Sequence, residues 1–170
     1  GYLMKLLDEY IEKELKTILD KNVRLIISGR KHLLPSGTLE KIEAAVEDSG
    51  KNTGMVLNLA LSYGGRNEII DAALRLSEKI NDGLKPEDIT HDVFRSCFYN
   101  PELPDVDVLI RTSGEQRISN FMLWHIAYAE LVFTDKYWPD FTRADFDACL
   151  DEYGGRKRRF GKTDEQTSRD

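Results

Sequence analysis

Ten consecutive residues, Arg111-Thr112-Ser113-Gly114-Glu115-Gln116-Arg117-Ile118-Ser119-Asn120, put two arginines, a glycine and several hydroxyl side chains close together. A guanidinium is a planar fork of donors that matches phosphate oxygens. A glycine lets backbone N–H groups approach an anion, and a helix beginning near Ser119 would aim its positive end there. These types suit the binding of a phosphate or diphosphate. The competing reading is ion pairing with carboxylates close by, for which Glu115 and Asp107 are the candidates. Gly29-Arg30 and Ser62-Tyr63-Gly64-Gly65-Arg66 are weaker versions of the same signal, with simple carboxylate pairing as the favoured alternative for Arg30 and Arg66. Glu130 lies in an apolar stretch. It reads either as a partner of an arginine or helix end, or as a metal ligand.

The elements that must position these residues follow from the apolar spacing. Leu3, Leu6, Leu7, Tyr10, Ile11, Leu15, Ile18 and Leu19 recur at three- and four-residue steps, which predicts an amphipathic helix. Residues 23–27, 55–61, 106–110 and 130–134 read as strands. Helices are expected around 39–46, around 69–80 with a stop at Gly83, and over the short stretch 90–97. Thr142 with Asp145 three residues on is a capping signature that opens a last helix, closed at Gly154-Gly155. Nearly all-apolar strands alternating with helices predict an α/β fold, an open and mainly parallel sheet flanked by helices. The four strands are expected in one sheet. In such sheets ligands bind beyond the carboxyl ends of the strands, and the arginine loops all follow strands.

Composition narrows the classes. The chain has 170 residues, 41% of them hydrophobic, and 24 basic against 30 acidic side chains, a net charge of −6. One domain over 1–161 with a charged tail at 162–170 is expected, and a general nucleic-acid binder is not. The longest near-apolar stretch, 121–133, is too short to span a membrane. Cys97 and Cys149 lack CxxC spacing and read as reduced core thiols. His125 reads as a core residue, and His32 and His91 as surface residues. Trp124 and Trp138 read as core or interface fillers. Arg156-Lys157-Arg158-Arg159 reads as a solvated tail, or as a segment that closes over an anion or touches anionic lipid. No Walker loop, GxGxxG, GxSxG or metal-spaced Cys/His set occurs.

Val108-Leu109-Ile110 leads into the ten-residue loop, and Phe121, Leu123-Trp124 and Ala127-Tyr128-Ala129-Glu130-Leu131 follow it. This stretch resembles the cis-prenyltransferases, on the side of the bacterial undecaprenyl diphosphate synthases. Asn58-Leu59-Ala60, Tyr63-Gly64-Gly65-Arg66, Trp138-Pro139-Asp140-Phe141 and Arg158-Arg159-Phe160-Gly161 resemble that family too, in its order. The resemblance implies a six-stranded parallel sheet and a homodimer. It implies repeated condensation of isopentenyl diphosphate onto an allylic diphosphate, usually farnesyl diphosphate, to give a cis-polyprenyl diphosphate carrier of cell-wall precursors. Mg²⁺ is the implied cofactor.

By motif match, Arg111, Arg117 and Ser119, with the Ile118 backbone beside them, would bind the diphosphate of isopentenyl diphosphate. Glu130 would help hold Mg²⁺. Arg159-Phe160-Gly161 resembles the family's C-terminal Arg-x-Gly, which reaches a diphosphate site across the dimer. The apolar face of the first helix resembles a wall of the prenyl-chain tunnel, though ordinary core explains it equally well.

The family's Asp-Gly-Asn-Gly-Arg-Trp and Ser-x-Glu-Asn-Trp segments do not occur here. Ser62 and Gln116 stand where the family commonly has Asn and His. The expectation is therefore a C-terminal portion of such an enzyme, with the catalytic Asp upstream of Gly1, no catalytic residue within the chain, and no activity of the chain alone. A non-catalytic partner subunit and a phosphate-binding regulatory domain are the alternatives. The expected location is cytoplasmic, with at most peripheral contact at the inner face of the membrane.

Overall fold

The leucine-rich stripe forms α1 (Tyr2–Asp20), after which Asn22, at φ 54°, turns the chain into β1 (Arg24–Ser28). The computed structural model describes residues 2–156. The chain divides into two units, Gly1–Glu102 and Leu103–Asp170. In the first unit β1 is followed by α2 (Ser36–Ser49), β2 (Val56–Ala60), α3 (Gly65–Asn81) and α4 (His91–Arg95). β1 and β2 pair in parallel with Ile26 opposite Asn58. Ile11 of α1, Leu25 and Ile27 of β1, Leu34, and Ile42 and Ala45 of α2 form one buried cluster. β1 is thus a buried strand, as its unbroken apolar run requires.

The edge of β1 that faces away from β2 is covered by side chains. Arg24 N–H donates to the Met55 carbonyl of the β2 side at 2.9 Å. The next residue points the other way, and Leu25 N–H donates to Ser49 Oγ at 3.0 Å. Ser49 in turn donates to the Ala45 carbonyl at 2.8 Å. The Ile27 carbonyl accepts from Asn100 Nδ2 at 3.0 Å. Two polar side chains thus satisfy two of the backbone groups on this edge. Ser49 is fully buried, so Ser49→Ala strands the Leu25 N–H. The expected cost is about 1–3 kcal/mol, read as a lower urea midpoint at unchanged slope. An unmoved midpoint would mean that the Ser49 hydroxyl does not satisfy this edge.

Gly29 ends β1 at φ 130°, and a Cβ there would lie 1.9 Å from the Leu61 carbonyl oxygen. Only glycine lets the chain leave the strand at this point, and that exit delivers Arg30. At the end of α3, Gly83 sits at φ 108°. Its N–H donates to Ile80 O and that of Leu84 to Lys79 O, the Schellman closure expected of a glycine stop.

The second unit contains β3 (Val108–Arg111), β4 (Glu130–Phe133) and α5 (Arg143–Gly155). β3 and β4 are parallel, with Val108 opposite Glu130 and Arg111 opposite Phe133. Thr142 and Asp145 form the expected capping box at the start of α5.

The α/β class with parallel strands agrees with the sequence, and the strand ends differ by one or two residues. Three expectations need correction. The strands make two two-stranded sheets, not one of four; alternation of strands and helices predicts parallel pairing but not which edges meet. No helix begins at Ser119, because 119–128 is a series of turns. Ser119, Asn120 and Met122 have φ of 47°, 64° and 45°, which a right-handed helix excludes. Of the two readings of Trp138, core or interface filler, the core one fails: it is 72% exposed and stacks on Phe141. Cys97 and Cys149 are buried free thiols, His125 is buried, and His32 and His91 are exposed, all as expected. No described helix is long and apolar enough to cross a membrane.

Candidate functional site

The loop after β3 is anchored by backbone hydrogen bonds to the segment after β4. Thr134 N–H donates to Arg111 O at 2.9 Å, Gly114 N–H to Thr134 O at 2.9 Å, and Ser113 N–H to Lys136 O at 2.7 Å. Ser113 and Gly114 then turn the chain with φ of 75° and 69°. This reversal brings Glu115 back over Arg111. One carboxylate oxygen of Glu115 accepts from Arg111 Nη2 and the other from Arg117 Nη2. The three side chains are 24%, 37% and 61% exposed in the order Arg111, Glu115, Arg117, so the inner arginine is the better shielded from solvent.

The carboxylate pairing expected of these arginines is present. They pair with a nearby carboxylate, and that carboxylate is what brings them together. A carboxylate presents two oxygens much as a phosphate does, so Glu115 marks where an incoming oxyanion would sit. The Arg111 hydrogen bond, helped by the charges of Arg117 and Arg111, holds the Glu115 carboxyl below its usual range. Each guanidinium carries five N–H donors and commits one of them to Glu115.

Ser119 is exposed on the same loop, and no hydrogen bond engages its hydroxyl among the described residues. Ile118 is partly buried, and its carbonyl accepts the Phe121 N–H at 3.0 Å. That tight turn holds Ser119 and Asn120 in their left-handed conformations. Non-glycine residues there cost about 1–2 kcal/mol each, and five of the nine positive-φ residues fall within 113–122. Strain concentrated in one loop is a feature of binding sites.

Glu130 is not gathered with these residues by the sheet. It stands at the amino end of β4, level with Val108, whereas Arg111 is level with Phe133. Three residues along a strand is about 10 Å. Glu130 is ion-paired with Arg156 at 2.9 Å, and Arg156 also donates to the Leu131 carbonyl and to Glu152. Among the described residues no group of three or more His, Cys, Asp or Glu could hold a metal ion. One carboxylate already held by an arginine does not fit the near-octahedral oxygen set that Mg²⁺ needs.

The other candidates sort as follows. Arg30 makes a bidentate pair with Asp71, Nη2 to Oδ1 at 2.8 Å and Nε to Oδ2 at 3.0 Å, so the carboxylate reading was right for it. Arg66 is exposed at the start of α3. Leu3, Leu6 and Tyr10 of α1 line an apolar groove of about 270 Å³ together with Leu61, while Met4 and Leu7 also pack on the core. Arg159-Phe160-Gly161 and the rest of the basic run after Arg156 lie outside the described residues. Asp71, Arg75 and Tyr99 were not singled out from the sequence. The i, i+4 spacing of Asp71 and Arg75 on α3 was the signal available.

Glu115 competes with any anion for the two arginines. Glu115→Gln is expected to tighten diphosphate binding about two- to fivefold, the scale of an exposed ion pair, measured by calorimetric titration. Weaker binding would mean that Glu115 chiefly holds the arginines in place. Because its carboxyl is depressed in the fold, the ion pair stabilises the fold above the unfolded-state value. That contribution fades as pH falls through the folded value, and Glu115→Gln should remove this part of the acid sensitivity.

A family model described as "Putative undecaprenyl diphosphate synthase" matches residues 1–161. The chain belongs to the undecaprenyl diphosphate synthase family of prenyltransferases. The isoprenyl transferase of Bacillus subtilis (strain 168) is 48% identical over 161 residues, which cover 94% of this chain and 62% of that protein. The isoprenyl transferase of Rhodopirellula baltica is 45% identical, with 94% and 66% covered. The chain thus spans less than two thirds of the length of these relatives. Among solved structures, a lavandulyl diphosphate synthase from Lavandula x intermedia in complex with dimethylallyl diphosphate superposes with a TM-score of 0.91 at 35% identity, covering 95% of this chain and 70% of that one. A chain described as a probable undecaprenyl diphosphate synthase from Campylobacter jejuni gives a TM-score of 0.84 at 34% identity, covering 95% and 74%. The α/β class read from the sequence is therefore that of this prenyltransferase family, and the family is one of enzymes.

Proposed function

We propose that the loop 111–120 binds the diphosphate of isopentenyl diphosphate, in a protein that adds this unit repeatedly to an allylic diphosphate and makes a cis-polyprenyl diphosphate of the undecaprenyl type. The observation that carries the reading is the placement of Arg111 and Arg117 on one carboxylate at the carboxyl end of β3. The diphosphate displaces Glu115, takes both guanidinium forks, and gains the Ser119 hydroxyl and the backbone at Ile118. Held in this way, isopentenyl diphosphate presents its alkene in a fixed direction, which is catalysis by orientation. In the condensation the allylic C–O bond breaks, the alkene carbon bonds to the allylic carbon, and a proton leaves. The neighbouring lavandulyl diphosphate synthase holds dimethylallyl diphosphate, which supports an allylic diphosphate as the second substrate here.

Mg²⁺ belongs to the proposed reaction, and Glu130 is the carboxylate that the motif match assigns to it. The described residues do not complete such a site, so no step is drawn through the metal. The 170-residue chain is expected to bind isopentenyl diphosphate without turnover. We assign 1–161 to one domain, on the unbroken family match. A homodimer is proposed, on the family resemblance alone. A cytoplasmic location with at most peripheral membrane contact completes the reading.

The test is calorimetric titration of the chain with isopentenyl diphosphate and with isopentenol. Saturable binding of the diphosphate, absent for the alcohol and competed by inorganic diphosphate, is expected. Equal binding of both, or no saturable binding of the diphosphate at millimolar concentration, would overturn the reading.

A further inference from the structure

The first unit contains a cleft of about 670 Å³ beyond the carboxyl end of β1, none of whose lining residues belongs to the loop 111–120. A cleft of this size suits a small organic ligand. Arg30, Lys31 and His32 reach it from the exit of β1, Asp71 and Arg75 from α3, and Tyr99 and Asn100 from the segment after α4. One carboxylate therefore shares the cleft with two arginines and a lysine.

That carboxylate is already satisfied. Both Asp71 oxygens accept from Arg30, and Oδ2 also accepts the Tyr99 hydroxyl. The Arg30 hydrogen bond keeps the Asp71 carboxyl below its usual range, and burial pushes the Tyr99 hydroxyl up to about 12. Tyr99 is thus a neutral donor committed to Asp71. Arg30, Asp71 and Tyr99 together form an electrically neutral wall.

The remaining cations are Arg75 and Lys31. Arg75 is held in place: Nη1 donates to the Cys97 carbonyl at 2.7 Å, and its guanidinium lies 5.2 Å from the Tyr99 ring centroid. A planar fork fixed in this way has lost much of its conformational freedom before any ligand arrives. Lys31 and His32 are exposed and make no ion pair among the described residues. Asn100 is fixed by donating to Ile27 O and Ser28 Oγ. The Tyr99 ring supplies apolar surface beside these polar groups.

We propose that this cleft is a second anion site, which binds a phosphate monoester with a small organic body. Its phosphate takes the Arg75 fork and the Lys31 ammonium, and the body fills the space beside the Tyr99 ring. A dianion balances the two cations that Asp71 leaves unmatched. The volume exceeds what a bare phosphate fills, which favours an ester over the free ion.

The chain has three histidines, His32, His91 and His125, and only His32 lines the cleft. Their ring resonances can be followed in the ¹⁵N-histidine-labelled full chain at fixed pH, during titration with inorganic phosphate and with phenyl phosphate. A saturable shift at His32, with His91 and His125 unmoved, is expected. Phenyl phosphate should saturate it at a concentration at least threefold lower than phosphate. Lys31→Glu and Arg75→Met should each raise the half-saturation concentration tenfold or more, and Arg111→Ala/Arg117→Ala should leave it unchanged. The last arm separates this site from the one proposed for isopentenyl diphosphate, since either can fail while the other stands. Lys31 is a surface residue, so Lys31→Glu keeps the test valid if Arg75→Met does not fold. A His32 shift that runs linearly alongside His91, or one unaffected by Lys31→Glu, would overturn the proposal. Equal saturation by phosphate and phenyl phosphate would overturn the ester assignment.

Discussion

Alanine in place of Arg111 or Arg117 is expected to weaken isopentenyl diphosphate binding tenfold to a hundredfold. A hydrogen bond to a charged group contributes roughly 1.5–3 kcal/mol, and 1.36 kcal/mol is a factor of ten. Arg111 should be the more sensitive position. It is 24% exposed against 61% for Arg117, and solvent screens an exposed charge more strongly. The charges around the site sharpen the prediction. Two arginines and Glu115 leave one positive charge to attract the ligand. One substitution leaves none, and both together leave Glu115 alone to repel it. The double variant should therefore bind below the detection limit of calorimetry. Arg143→Ala is the control, because Arg143 is an exposed partner of Asp147 on α5 and its loss should change nothing. Unchanged affinity in both single variants would remove the loop from the substrate site.

Ile42→Ala should be the most destabilising single substitution in the first unit. Ile42 is fully buried and packs with Ile11, Leu25, Ile27, Leu34 and Ala45. Truncating a buried isoleucine costs about 2–5 kcal/mol through lost transfer energy and the cavity left behind. Domains hold only about 5–15 kcal/mol in total, so a large share of the stability goes. The same substitution at Ile70, which is 54% exposed on α3, should stay near 0.5 kcal/mol. Urea unfolding of the two variants checks the contrast. A loss below 1 kcal/mol at Ile42 would mean that this cluster does not hold α2 against β1. The effect bears on function as well, since β1 and its glycine exit deliver Arg30 and Lys31 to the cleft.

The elements that the sequence determined by itself are those written in local signals. Apolar steps of three and four residues specified α1 and α2. A β-branched run specified β1 and an apolar run broken only by Asn58 specified β2, and Gly83 and the Thr142–Asp145 pair specified a stop and a start. These signals act over a few residues, so the chain's local order displays them. The loop 111–120 was legible for the same reason: its arginines, glycine and serines are adjacent, and the family resemblance lay in consecutive residues.

Tertiary structure alone decided the partners. Ser49 and Asn100 cover the edge of β1 from 24 and 73 residues away, and no local pattern marks them. Asp71 meets Arg30 across 41 residues, so Gly29-Arg30 after β1 and the Asp71 and Arg75 spacing were the only sequence signals of the cleft beside them. The turn over 119–128 was hidden because its apolar run is compatible with a helix, while the positive φ values are imposed by packing. Glu130 shows the division most clearly. Its place in an apolar run marked it as a residue with a job. The parallel register of β3 and β4 set it at the opposite end from Arg111, beside Arg156, because which strand ends lie level depends on how whole elements pack.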